Sequence, residues 1–154
     1  MSILNQKTIS KKITISGIGL HTGNNVNLSL VPSLPNSGIV FKRIDINNNF
    51  NLIFPNYINV CETNLCTTIK NDANVKVSTI EHLMGALYGL GVDNVLVELD
   101  SQEVPILDGS AKDWIKLIKS AGIKYSDQPI KVIKINNKVE VLKNEKFISI
   151  EKSN

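Results

Sequence analysis

Arginine is nearly absent from this sequence. Arg43 is the single one among 17 basic residues in a chain of 154, and the lysines are interleaved with acids to a net charge of +3. Proteins that read nucleic acids concentrate Lys and Arg on one face and rely on Arg for base and phosphate contacts, so that class is excluded. Cysteine is as scarce, with only Cys61 and Cys66. A disulfide scaffold needs more cysteines and an oxidising compartment, and a cysteine zinc site needs four closely spaced ligands. Both are expected to be reduced, at least one of them packed in the interior. Long apolar runs are also missing. The longest strongly apolar stretch, Leu83–Val92, is interrupted by glycine and falls well short of the roughly 20 residues of a membrane helix. The amino terminus has no basic head followed by an apolar run, which leaves the cytoplasm as the expected compartment. What remains, 42% apolar residues, is enough for the core of about one domain.

The first forty residues read as β structure. Thr8–Ile15 is rich in β-branched residues and is followed by Gly17 and Gly19, while Val26, Leu28 and Leu30 alternate with Asn27 and Ser29 as in a half-buried strand. Ile39–Arg43 resumes as a strand, Asp45–Asn59 reads mainly as loop, and Leu65–Lys70 as a short strand. The period then changes. Ser78-Thr79-Ile80-Glu81 fits a capping box, with Ile80, Leu83, Met84, Leu87 and Leu90 at helical spacing up to Gly89 and Gly91. Asn94–Leu99 is a strand, Glu103–Leu107 is extended around Pro105, and a second helix from about Ser110 buries Trp114, Leu117, Ile118 and Ala121 before Gly122. After Tyr125–Pro129 the pattern changes again, and the segments Ile130–Ile135, Lys138–Leu142 and Lys146–Ile150 read as three strands with no helix to cover them. Residues 1–126 are therefore expected to form a first domain, and residues 127–154 the linker and opening strands of a second.

Few side chains are suited to chemistry. The two histidines are His21, in the turn Gly19-Leu20-His21-Thr22-Gly23, and His82, which follows Glu81 at the start of the first helix. Adjacent helical residues point about 100° apart, so Glu81 and His82 can border one pocket without touching. Each has a structural reading too: a turn histidine for His21, the capping box for Glu81. Asp108 suits a turn acid near the second helix, whose dipole favours negative charge.

Together these segments resemble a family. Gly17–Gly23, Asn64–Thr67, Val77–Leu83, Gly91–Asn94 and Pro105–Ala111 occur in the order and spacing of the zinc-dependent UDP-3-O-acyl-N-acetylglucosamine deacetylases of lipid A biosynthesis in Gram-negative bacteria. The resemblance implies an α+β fold in which each of two similar domains is a two-layer sandwich, a mainly antiparallel sheet against two helices. It also implies hydrolysis of the 2-acetamido group of a UDP-linked, acylated sugar by a zinc-activated water. By motif, His82 is then a zinc ligand and Glu81 the general base. Leu20, His21, Leu65 and Cys66 line the site or an acyl passage, and Asp108 is a supporting polar group.

The same resemblance places two further zinc ligands and another catalytic histidine in the second domain, and no histidine follows His82 here. Catalytic zinc takes three protein ligands. The chain is accordingly expected to be an incomplete enzyme, binding zinc weakly and deacetylating poorly by itself. Two other readings stand beside this: a non-catalytic module holding the acyl sugar or a partner protein, and one half of a two-chain enzyme.

Overall fold

A computed structural model describes residues 4–46 and 49–153. The amino-terminal residues on which the export-signal reading partly rests, two asparagines of the expected 45–59 loop and the last residue lie outside the described residues. Among these residues the fold is mixed α and β, with two α-helices and four small, mostly antiparallel sheets. The largest sheet has five strands in the order β2-β3-β9-β4-β5: β2 (Ile13–Ile18), β3 (Asn25–Pro32), β9 (Val95–Leu99), β4 (Ile39–Arg43) and β5 (Leu52–Ile53). Only the β4–β9 pair is parallel. β6 (Val60–Glu62), β7 (Thr68–Lys70) and β8 (Lys76–Val77) form a second sheet, and β1 (Asn5–Ile9) pairs with β10 (Ile123–Pro129) in a third.

Alternation decides which face of the main sheet is covered. Val26, Leu28 and Leu30 of β3 and Val95, Val97 and Leu99 of β9 are buried, and they share one apolar cluster with Leu83, Ala86 and Leu87 of α1 (Glu81–Leu90) and Trp114 and Ile118 of α2 (Lys112–Ala121). α1 ends at Gly91 in the left-handed conformation and α2 stops at Gly122.

The structure corrects several sequence expectations. Thr8–Ile15 is not one strand. The chain leaves β1 at Ser10, whose amide donates to Gly122 O at 2.9 Å, and re-enters a different sheet at Ile13. Tyr125–Pro129 belongs to β10, which pairs with β1 from Ile9↔Ile123 to Lys7↔Tyr125 and, past a register shift, at Asn5↔Pro129. Ile130–Ile135 forms no strand: after the Ile130 amide, which donates to Leu4 O at 2.9 Å, the segment leaves the sheet, with Val132 and Ile133 76% and 91% exposed, and strand propensity counts only against a neighbour. β11 (Val139–Lys143) and β12 (Lys146–Ile150) do form the expected hairpin, exposed throughout. Neither cysteine is packed in the interior; Cys61 is exposed and Cys66 half-buried, both free.

A buried amide cluster ties β1 to the main sheet. Asn94 donates to Gln6 Oε1 at 2.9 Å and accepts from the Gly38 amide at 3.0 Å, while Gln6 Nε2 donates to Asn36 Oδ1 at 2.9 Å. Beside it the Asp93 carboxylate accepts from the Lys7 amide at 2.7 Å. The Gly91–Asn94 motif is thus a helix stop followed by a staple. Asn94→Ala, at a side chain only 2% exposed, strands the Gly38 amide and removes one of two donors from Gln6 Oε1, which keeps the Asn36 amide at 2.9 Å. It is expected to cost at least about 2 kcal/mol, read from the denaturant midpoint.

Candidate active site

Glu81 is the first residue of α1, and the expected capping box does not form. Ser78 cannot serve as N-cap because it is held extended: its amide donates to Gln102 O at 2.9 Å, its carbonyl accepts from the Val104 amide at 3.1 Å, and its hydroxyl accepts from Thr68 at 3.0 Å. The chain then reverses at Thr79, a β-branched residue at φ 58°, and enters the helix through Ile80 with no side-chain cap. The Glu81 carboxylate instead accepts the Thr67 amide. Glu81 is exposed and His82 half-buried, so the first turn of α1 presents a carboxylate and an imidazole side by side.

The turn carrying His21 is fastened by a residue that the motif reading passes over. Glu103 is 0% exposed, yet it is a carboxylate. It accepts the His21 amide at 3.1 Å, the Thr22 amide at 2.9 Å, the Thr22 hydroxyl at 2.8 Å and the Thr79 hydroxyl at 2.8 Å. Desolvation pushes its pKa up, but these four donors together outweigh it and hold Glu103 below the usual carboxylate value. Gly19 makes the approach feasible: a Cβ there would stand 2.4 Å from Glu103 Oε2. The spacing of glycines before His21 is thereby explained by a buried anion as well as by a turn. A sequence signal for Glu103 existed, an acid at the head of the apolar run Val104-Pro105-Ile106-Leu107, but its partners lie 24 positions away at Thr79 and 81 to 82 away at Thr22 and His21.

Hydrogen bonds, together with the chain between them, link three of the seven sequence-predicted site residues, His21, Cys66 and Glu81, into one path. It runs from the His21 turn through Glu103 to Thr79, on through Ser78 and Thr68 to Cys66, whose sulfur lies 3.8 Å from Thr68 Oγ1, and from neighbouring Thr67 to Glu81. Leu20 and Leu65, 58% and 93% exposed, stand at two bends of this path, Leu65 itself at φ 62°. Asp108 is not on it. Its carboxylate accepts the Ser110 hydroxyl and amide at 3.0 and 3.1 Å, ahead of α2; partial desolvation raises its pKa, and these bonds outweigh that and hold it low. Asp108 is therefore the turn acid of its structural reading. A groove of about 380 Å³ beside β1 and β10, lined by Lys7, Ser33, Lys124 and Tyr125 among others, contains none of these residues.

Among the described residues, no group of three or more His, Cys, Asp or Glu side chains gathers closely enough to hold a metal ion. His82 is a suitable single donor, but the zinc implied by the family resemblance needs three. The described residues of this chain do not by themselves fit that ion. No helix among them is long and apolar enough to cross a membrane.

Because Glu103 is a stronger acid folded than unfolded, its contribution to stability is fully present above the ordinary carboxylate pKa of about 4.3 and is lost as pH falls through its folded value. Glu103→Gln is therefore expected to destabilise most at pH 7, with the deficit shrinking towards pH 3. Denaturant midpoints of both proteins across that range check it.

Comparison with known proteins agrees with the motif order. The profile of the family described as UDP-3-O-acyl N-acetylglycosamine deacetylase matches residues 6–154. Curated relatives named UDP-3-O-acyl-N-acetylglucosamine deacetylase are similar throughout. That of Actinobacillus succinogenes is 42% identical over 149 residues, covering 96% of this chain and 48% of its own length. That of Haemophilus influenzae is 42% identical over 153 residues, covering 99% and 50%. That of Shewanella denitrificans is 42% identical over 146 residues, covering 95% and 47%. The chain spans about half the length of the curated relatives it matches.

Proposed function

Since the chain belongs to the UDP-3-O-acyl-N-acetylglucosamine deacetylase family, we propose that it supplies one half of an amide hydrolase that removes the N-acetyl group of a UDP-linked, 3-O-acylated glucosamine. The observation that carries this reading is the first turn of α1, where exposed Glu81, oriented by the Thr67 amide, adjoins half-buried His82. A carboxylate held by one amide keeps lone pairs free to take a proton from an attacking water. Glu81 is the general base in this reading, and His82 offers its imidazole as one zinc ligand. The other ligands come from residues outside 1–154. A zinc ion held by His82 and by ligands from outside these residues would supply Lewis acidity towards the amide carbonyl and the water.

The exposed apolar side chains of Leu20 and Leu65 are what an acyl chain would cover, with His21 and Cys66 beside them. Asp108 supports the turn before α2. The five-stranded sheet and both helices, which share one apolar cluster, are read as a two-layer unit occupying residues 1–126. β10 carries that unit on to Pro129, and the exposed hairpin β11–β12 is read as the opening of a second unit. The compartment proposed is the cytoplasm.

Acetate release from UDP-3-O-acyl-N-acetylglucosamine tests this reading, measured on a single-chain fusion of residues 1–154 to the second half of the Haemophilus influenzae relative. The fusion is expected to be active and chelator-sensitive, and Glu81→Gln to lower kcat by about 10²–10⁴-fold. Full activity in the Gln variant would overturn the role of Glu81. Residues 1–154 alone are expected to lose zinc on gel filtration, since one ligand does not retain it; a stoichiometric complex that survives would overturn the assignment of His82 as the single ligand in this chain.

A further inference from the structure

We propose that Glu103 is the positioning residue of the candidate site, locking the His21 turn to the segment that launches α1. This inference rests on the proposed function, because it gives the fixed separation between His21 and the Glu81–His82 pair its purpose.

The geometry carries it. Glu103 touches two segments distant in sequence through four separate donors, and its two oxygens divide them. Oε2 takes both groups of Thr22, whereas Oε1 takes the Thr79 hydroxyl and the shorter of two contacts from the His21 amide, 3.1 against 3.2 Å. The backbone around Glu103 repeats the connection. The Ser78 amide and carbonyl bracket it through Gln102 and Val104, and the Ile106 amide donates to Ile18 O at 3.0 Å, just before the turn. The 102–106 segment is therefore a strap across the end of β2 on one side and the entry to α1 on the other.

A neutral side chain does not reproduce this. Glutamine keeps one accepting oxygen, and its amide nitrogen brings hydrogens towards groups that are themselves donors. Thr79 makes the lock necessary, for a β-branched residue at φ 58° persists only when its surroundings hold it there. Release of the Thr79 hydroxyl frees the bend two residues before Glu81. Loss of the Thr22 and His21 contacts frees the turn on the opposite side. Neither residue would lose its own side chain, so chemistry at Glu81 would fail through misplacement.

Amide hydrogen exchange on the 154-residue chain, well below its melting temperature, tests this directly. Glu103→Gln is expected to raise exchange at His21 and Thr22 by about 10- to 100-fold while amides of β3 and β9 keep their protection. Equal loss of protection everywhere would mean that Glu103 serves stability alone, and no change at His21 and Thr22 would mean that it positions nothing; either overturns the proposal. Should Glu103→Gln fail to fold, Thr22→Val and Thr79→Val each remove one hydroxyl donor and must loosen the same turn or bend locally. In the fusion enzyme, Glu103→Gln is expected to lower kcat more than it raises KM, and Glu103→Asp to recover part of the loss. Activity that survives Glu81→Gln refutes the proposed chemistry, whereas unchanged exchange at His21 and Thr22 refutes only the positioning role.

Discussion

A carboxylate sealed from water is tolerable only when its oxygens are saturated with donors, and Glu103 imposes that condition on everything around it. The donors come from the His21 turn and from Thr79, segments that the 102–106 backbone also ties together. Meeting the condition requires Gly19 to be bare and Thr79 to adopt a left-handed backbone. One buried charge thus accounts for features in three of the five family motifs or their immediate neighbours. A hydrophobic residue in its place would pack the strap but leave the His21 amide and the Thr22 and Thr79 hydroxyls without their acceptor.

The rest of the scaffold carries the same logic to the opposite end of β9. Just before this central strand, Asn94 joins β1 and the Gly38 turn through fully paired amides; four residues after it, Glu103 joins the site. Between them Val95, Val97 and Leu99 are apolar and buried. Apolar burial supplies most of the stability, but it is tolerant of shape, whereas a satisfied polar network accepts one arrangement. The strained positions Leu65, Thr79 and Leu107 all fall beside candidate residues. Each costs on the order of 1–3 kcal/mol in isolation, which the surrounding networks must offset.

The site so built is one-sided. Glu81, held by the Thr67 amide, and His82 stand at a helix terminus, and among the described residues they belong to no group of three or more metal donors. That agrees with a chain matching about half the length of its relatives. Precise placement of two residues has chemical value only opposite groups that complete the constellation, since a displacement of about an ångström can remove much of a catalytic advantage.

By itself the sequence determined the elements whose signals are local. Period-2 alternation in Val26–Leu30 and Val95–Leu99, helical spacing from Leu83 to Leu87 and from Trp114 to Ala121, and the stops at Gly91 and Gly122 all stand in the structure as read. The motif order also identified the family and pointed to the Glu81–His82 turn. Tertiary structure decided whatever depends on a distant partner. Thr8–Ile15 splits because its halves pair with different strands; Tyr125–Pro129 is a strand because β1 lies beside it; Ile130–Ile135 is not one because its pairing ends at Ile130. Ser78 gives up its expected capping role to a bridge with Glu103, and Glu103 acquires its importance from residues some 80 positions earlier. Propensity and periodicity are written within a few residues of each other, but strand pairing and the desolvation of a charge are set by what the folded chain brings alongside.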